Sequence, residues 1–548
     1  MAHALAGKPV QEQDIIDVQT IVDAYFDNIP DVTNPTQLVS FGTSGHRGTS
    51  VDGTFTDLHV AAITQAICDG RKKFGATGPI FVGQDTHALS QPALVTVLEV
   101  LAGNGVTAMV DCDMDFVPTP SVSRAIIRYN EEHDDKADGI IITPSHNPPD
   151  NGGIKYNTII GGPADTVVTK WIEMRANEYL TAYCESEGFK RISIDNIEPT
   201  AQVPYDYKGL YVEELGDVIN MEAIKAAGPK VLVDTLGGSG ASYWNAIKER
   251  YGLDLTIIHD DYDPTFSFMT YDHDGKVRMD CSSTHVMASV INRIGDFDLA
   301  VGNDPDYDRY GIVVSSGLIS ANTFFTLASR YLFTTRGWKN KGIGKTVVCT
   351  TMIDKWATGA GIPVFEVPVG FKYFSQLLFD GAIGIGGEES AGASFLKKDG
   401  TVWTTDKDGM IMALLSMEII AVMGKSALKM ADEFVEEFGN PRFGRIDAPC
   451  KKEQKQILKQ MSAELITATT VDGDPITNIR TTSLYNDMPI DGVRVETDKG
   501  WFVARPSGTE DLYKIYGESY KGDLGLVALL TAGEEIVNAA LNSTIETE

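Results

Sequence analysis

The sequence predicts an α/β protein of three similar α/β domains with mixed sheets, followed by a smaller α+β domain, all converging on a central cleft. Three observations predict it. Short runs of small and β-branched apolar residues recur along the 548-residue chain, several ending abruptly in polar, glycine-punctuated loops. Helix-period segments lie between such runs, the pattern of strand–helix–strand units. The last hundred residues change character, with hairpin-like strands replacing the alternation.

In chain order, Ile80–Asp85 reads as a strand, Gln91–Asn104 as a helix and Val106–Val110 as the next strand, with the strand Gly139–Ile142 to follow. This first domain spans residues 1–205. Lys230–Asp234 begins a second unit, residues 206–317, which ends in an acidic loop. Thr346–Thr350 begins a third, residues 318–440, which ends near Glu388. The spacing suggests a loose threefold repetition in which each copy delivers one functional loop to a shared cleft. Residues 441–548 open with a helix over Lys451–Glu464, and strands follow.

The formal charge of −30 argues against nucleic acid and anionic membranes as partners, because both need basic patches. No apolar run approaches the length of a membrane span, and the first residues lack a signal-peptide core, so the expected location is the cytoplasm. The six cysteines are scattered without a Cys-x-x-Cys pair, which argues against disulfides and zinc and for buried thiols. Gly237–Gly240 follows a strand as a dinucleotide loop would, but the Gly-x-Gly-x-x-Gly spacing fails.

Four loops carry chemistry. Thr143-Pro-Ser-His-Asn-Pro-Pro follows a strand and places Ser145, His146 and, a little further on, Lys155 close together, making Ser145 the first candidate nucleophile. Asp304, Asp306 and Asp308 alternate after the run Leu299–Gly302, and such oxygen ligands suit a hard cation such as Mg²⁺ that also takes a phosphate oxygen. Arg309 stands beside them. Glu388 and Ser390 end another apolar run and suit neighbouring sugar hydroxyls. Arg505, Ser507, Gly508 and Thr509 end a strand with a guanidinium, hydroxyls and free backbone N–H groups, an anion cradle.

With the early loop Phe41-Gly-Thr43-Ser-Gly-His-Arg47-Gly48, this ordered set resembles the α-D-phosphohexomutase family, in its phosphoglucomutase branch, from about Phe41 to Tyr516. The resemblance implies that Ser145 carries a phosphoryl group and, with Asp304, Asp306 and Asp308, binds Mg²⁺. It implies that Glu388 and Ser390 read the sugar and that Arg505, Ser507, Gly508 and Thr509 hold the phosphate that is not reacting. Thr43, Arg47, Arg309 and Lys398 join the substrate-binding set. The implied reaction interconverts glucose 1-phosphate and glucose 6-phosphate through glucose 1,6-bisphosphate, with mannose or other hexose phosphates as the alternative substrates. Lys155 is favoured as general base over His146, its pKa depressed by the charge of Arg47. A monomer or homodimer is expected. Two departures stand out. Pro305 and Tyr307 replace glycines between the carboxylates, and Val369 replaces a threonine that often precedes Gly370.

Overall fold

In the computed structural model the described residues are 3–42, 44–183, 189–425, 427–506 and 512–545. They form two compact units. One comprises residues 1–321, 374–381 and 390–428, the other residues 322–373, 382–389 and 429–548.

The first unit opens with a mixed six-stranded sheet of β1 (His46–Thr49), β2 (Ile80–Gln84), β3 (Ala108–Asp111), β4 (Asp138–Ile142), β5 (Asn151–Asn157) and β6 (Gln202–Tyr205), in the order β1-β5-β4-β2-β3-β6. β2, β3, β4 and β6 run parallel, while β5 returns antiparallel to β4 and carries β1. The apolar runs seen in the sequence are the central strands. Ile80, Val82, Ile140 and Ile142 enter one core with the helices Asp57–Gly70 and Ser90–Gly103, whereas Phe81 and Ile141 enter a second core with Thr119–Glu132. A strand covered on both faces needs no polar alternation.

The second sheet is β7 (Val231–Asp234), β8 (Leu255–Ile258), β9 (Leu299–Gly302), β10 (Gly311–Val314) and β11 (Gly317–Leu318), ordered β11-β10-β9-β7-β8. Its parallel half is β9-β7-β8. In both sheets a functional loop leaves the carboxyl end of a parallel strand and the chain returns as an antiparallel neighbour.

The other unit contains β12 (Gly342–Thr346), β13 (Val364–Val367) and β14 (Ile383–Gly387), parallel with β12 in the middle. The strand expected over Thr346–Thr350 lies earlier, since β12 ends at Thr346 and the Cys349 amide turns back onto the Thr346 carbonyl. Val347 and Val348 are buried for a different reason, packing with Ile490, Trp501, Val503 and Tyr516 of the last domain. β15 (Ala393–Phe395) and the helix Gly409–Met423 belong to the first unit.

The last domain is antiparallel throughout: β16 (Arg442–Pro449), β17 (Thr470–Val471), β18 (Asp474–Thr482), β19 (Pro489–Thr497), β20 (Gly500–Pro506) and β21 (Leu512–Ser519), ordered β16-β21-β20-β19-β18-β17. The helix expected to reach Glu464 stops at Lys459, and the Ser462 side chain caps a separate turn over Ala463–Leu465. One expectation is overturned. Gly522–Asn542, within the helix Gly522–Ile545, is long and apolar enough to cross a bilayer, with mean hydropathy 1.5. Packing explains part of that character, because Leu529, Leu530, Val537, Ala540 and Leu541 enter the domain core beside the sheet residues Phe502 and Ile515. Among the described cysteines, Cys281, Cys349 and Cys450 are buried as expected, Cys68 is half-buried and Cys112 is exposed.

Candidate active site

Ser145 sits just past β4 with φ 61°, the left-handed region that a serine rarely occupies, and its side chain is buried. A stack of buried hydrogen bonds holds it there. The Ser145 amide donates to Thr143 Oγ1 (2.7 Å), whose own proton goes to Asp85 Oδ2 (2.6 Å). Asp85 also accepts from the His87 amide, His87 Nδ1 and Ser90 Oγ, at 3.0, 2.9 and 2.6 Å. Burial alone would push the Asp85 carboxyl up, but the charge of His87 and these donors hold it below its ordinary range. The far side of the His87 ring meets the Asn147 carbonyl at 3.0 Å, so one buried ion pair braces both flanks of the serine. β5 must pass close behind: a Cβ on Gly153 would stand 2.2 Å from the Thr143 carbonyl oxygen.

Asp304, Asp306 and Asp308 follow β9 and are all buried, with carboxylate oxygens within 4.8 Å of one another. Ser145 Oγ donates to Asp304 Oδ2 at 2.8 Å, which joins the serine loop to the acidic loop. Burial, then the charges of Asp306 and Asp308, raise Asp304 well above the ordinary carboxylate range. Among the described residues, Asp306 Oδ1 and Asp308 Oδ1 have no hydrogen-bond partner, although both are buried. Converging hard oxygens, mutual repulsion and orphaned lone pairs are what a divalent cation would relieve, so the donor set fits a metal ion.

Cations and donors crowd the same carboxylates. Lys155 Nζ lies 2.5 Å from Asp306 and 3.2 Å from Asp308, Lys407 Nζ 2.9 Å from Asp308, and Thr119 Oγ1 donates to Asp306 at 2.7 Å. Arg309 lies 3.7 Å from Asp280 and 3.8 Å from Asp308. The depressed lysine expected from Arg47 is not what this arrangement gives. Burial and the charge of Arg47 lower the Lys155 pKa, but the charges of Asp306, Asp308 and Asp406 outweigh them, so the net direction is upward. His146 goes the other way: burial first, then the charge of Arg309, hold its imidazole neutral, with Nδ1 3.3 Å from Ser145 Oγ. Arg47 on β1 donates to Asn147 Oδ1 at 3.2 Å.

The acidic loop is tied by its backbone to the segment after Ser390. Arg309 bridges Gly392, and the Tyr310 amide donates to the Ala391 carbonyl at 3.1 Å. Glu388 follows β14 in the other unit and is buried. Arg505 lies on β20 of that unit, its Nε on the Ile490 carbonyl at 3.0 Å. Thr43, Ser507, Gly508 and Thr509 lie outside the described residues. Lys398 is exposed in a turn where its amide meets the Asp217 carbonyl, whereas Lys407, like Lys155, contacts the triad. Sequence reasoning passed over Lys407, Asp280, Thr119 and the Asp85–His87 pair. A signal existed for Lys407 alone, since Asp406-Lys407-Asp408 sets three charges immediately before an apolar helix that Asp408 caps.

Comparison with known proteins accounts for nearly the whole chain. Models of the phosphoglucomutase/phosphomannomutase α/β/α domains I, II and III match residues 38–182, 210–317 and 320–438, and the model of the C-terminal domain matches 447–524. A phosphoglucomutase of Komagataeibacter xylinus is 46% identical over 97% of both chains, and phosphoglucomutase 1 of Saccharomyces cerevisiae is 26% identical over 90% of both. The crystal structure of a putative phosphomannomutase from Thermus thermophilus shares the fold, with a TM-score of 0.71 at 23% identity over 91% of this chain and 99% of that one. Four family domains in order, the 46% identity to a full-length relative and a serine hydrogen-bonded to a buried aspartate triad place this chain in the phosphoglucomutase/phosphomannomutase family, the α-D-phosphohexomutases.

Proposed function

We propose that the protein is a phosphoglucomutase that interconverts α-D-glucose 1-phosphate and D-glucose 6-phosphate through a phosphoserine at Ser145 and a glucose 1,6-bisphosphate intermediate. The observation that carries this reading is the 2.8 Å hydrogen bond from Ser145 Oγ to Asp304 within the buried triad. The 46% identity to a phosphoglucomutase favours glucose over mannose, the alternative substrate class in this family.

Asp304, Asp306 and Asp308, with an oxygen of the Ser145 phosphoryl group, would hold Mg²⁺. The ion supplies electrostatic stabilisation of the phosphoryl group in flight. Ser145 offers its Oγ as carrier: the P–Oγ bond breaks as a P–O bond to the sugar hydroxyl forms, and the steps reverse at the other end of the sugar. Lys155 and His146 are the two candidates to take the proton leaving the sugar hydroxyl, and the departing Ser145 Oγ regains a proton as its bond to phosphorus breaks, with His146 Nδ1 3.3 Å away. Lys155, Arg47, Arg309 and Lys407 are cations suited to the phosphoryl oxygens, with Lys407 taking the role expected of Lys398. Glu388 and Ser390 grip the sugar, and Thr43, Arg505, Ser507, Gly508 and Thr509 complete the substrate set. With this reading go the division at 1–205, 206–317, 318–440 and 441–548, a monomer or homodimer, and a cytoplasmic location.

An intact-mass measurement tests it. The purified chain should carry one phosphate that is lost on adding excess glucose 6-phosphate, and Ser145→Ala should carry none and lose turnover while staying folded. A folded Ser145→Ala protein that still isomerises glucose 1-phosphate would end the proposal.

A further inference from the structure

The glycine-rich stretch Gly237–Gly240 has no role in the reading above, yet it meets the aspartate loop directly. Tyr307, the residue between Asp306 and Asp308, has φ 61° and is completely buried. A tyrosine does not adopt that backbone unaided, because its Cβ crowds the following carbonyl. Its amide donates to the Asp304 carbonyl at 2.9 Å and its carbonyl accepts from the Gly409 amide at 2.9 Å, so the kink lies inside the ligand-bearing turn. The ring fills the space that two glycines leave. A Cβ on Gly240 would stand 2.4 Å from Tyr307 Cε1, and one on Gly238 would stand 2.8 Å from Pro305 Cα and 2.9 Å from Tyr307 Cε2. Gly240 has φ −97° and ψ 11°, open to other residues, so space rather than backbone conformation demands glycine there. Between them, Ser239 donates from both its amide and its Oγ to the Pro305 carbonyl, each at 2.8 Å.

We propose that Gly238, Ser239 and Gly240 form a socket for Tyr307 and Pro305 that sets the spacing of Asp304, Asp306 and Asp308, making Tyr307 a positioning residue for the metal ion. The proposal rests on the reading of the three aspartates as metal ligands. A bulky residue occupies the kinked position between the carboxylates, and the buried ring holds the kink in place. A socket built for the ring should be intolerant of a methyl at Gly240 only while the ring is present. The loop that looks like a nucleotide site is filled by the protein's own side chain.

Calorimetric titration of the full chain with Mg²⁺ alone tests this, with melting curves to establish folding. Gly240→Ala and Tyr307→Ala should each weaken Mg²⁺ binding by roughly tenfold to a hundredfold, the range for residues that orient metal ligands from outside. Tyr307→Phe, which keeps the ring, should restore binding to near the parent affinity. Adding Gly240→Ala to Tyr307→Ala should weaken binding no further, because the methyl then has nothing to displace. The proposal is overturned if a folded Tyr307→Ala protein binds Mg²⁺ like the parent, or if Gly240→Ala costs as much with the ring absent as present. Should Gly240→Ala fail to fold, Tyr307→Ala against Tyr307→Phe decides alone. Asp306→Asn in the same titration separates the two layers: parent-like binding there removes the metal-ligand reading itself.

Discussion

Thr143→Val isolates the bracing of Ser145 from its chemistry. Valine nearly matches threonine in shape, so what is lost is one hydroxyl that makes two fully buried bonds, 2.6 Å to Asp85 and 2.7 Å from the Ser145 amide. Asp85 keeps His87 and Ser90, so the carboxylate stays ionised and satisfied. The Ser145 amide keeps nothing in its place, and an orphaned buried donor costs about 1–3 kcal/mol. The left-handed backbone at Ser145, itself unfavourable by roughly 1–2 kcal/mol, then loses the bond that holds it. If that energy is felt in the placement of Oγ during phosphoryl transfer, kcat should fall about 5-fold to 150-fold. Substrate grip lies on other residues, so KM for glucose 1-phosphate and the affinity for Mg²⁺ should stay near parent values. Thr143→Ser, which restores the hydroxyl, should recover most of the rate. Steady-state kinetics with a melting curve on the same protein give the answer. A folded Thr143→Val enzyme with parent kcat and only a lowered Tm would show that the bracing stabilises the fold and does nothing for the serine.

Two further outcomes follow from the electrostatics. Burial, then the charge of neighbouring His46, bring His59 down to about 3 from an ordinary value near 6.5, so the unfolded chain binds the extra proton between those values; the stability this gives is complete above pH 6.5 and is lost as pH falls towards 3. The loss should reach about 2 kcal/mol at pH 5 in denaturant titrations, and His59→Gln, which keeps the helix-capping arrangement with Thr56, should flatten that slope; an unchanged slope would remove His59 as its source. Lys407→Met removes a charge-assisted contact and should raise KM for both sugar phosphates by roughly tenfold to a hundredfold. Parent KM values would confine Lys407 to pairing with Asp308.

What the sequence made legible was local. Ile140, Ile141 and Ile142 could be recognised as a strand, and Ser145 as the residue just past its end, because the information lies within a few residues. Asp304, Asp306 and Asp308 were visible for the same reason. Partners brought from far along the chain were not: Thr119, Asp280 and Lys407 reach the site only through folding. The upward pull on Lys155 was not visible because Arg47 was considered without the carboxylates across from it. Val347 and Val348 read as strand because they are β-branched and buried, but what buries them is another domain's core. The long helix Gly522–Ile545 went unnoticed as a candidate span because Asp523, Glu534 and Glu535 interrupt its apolar run.

A chain with a formal charge of −30 that binds a sugar phosphate dianion needs its cations where the phosphate goes, and here they are already occupied. Lys155 and Lys407 neutralise Asp306 and Asp308, and Arg309 lies between Asp308 and Asp280. That pairing keeps buried carboxylates tolerable while no other positive charge is near. It also makes the lysines and a divalent ion compete for the same oxygens. Were the carboxylates to bind a dication, the ammonium groups would lose part of their pairing but not their burial, and an unpaired buried cation is costly. A phosphoryl dianion is the ligand that relieves it. Binding of metal and of phosphate would then be coupled through Lys155 and Lys407, each favouring the other by the same factor. On that reading the acidic triad and its surrounding cations would act as one charge-exchanging unit, a way for so negative a protein to build an anion site without a net excess of basic residues.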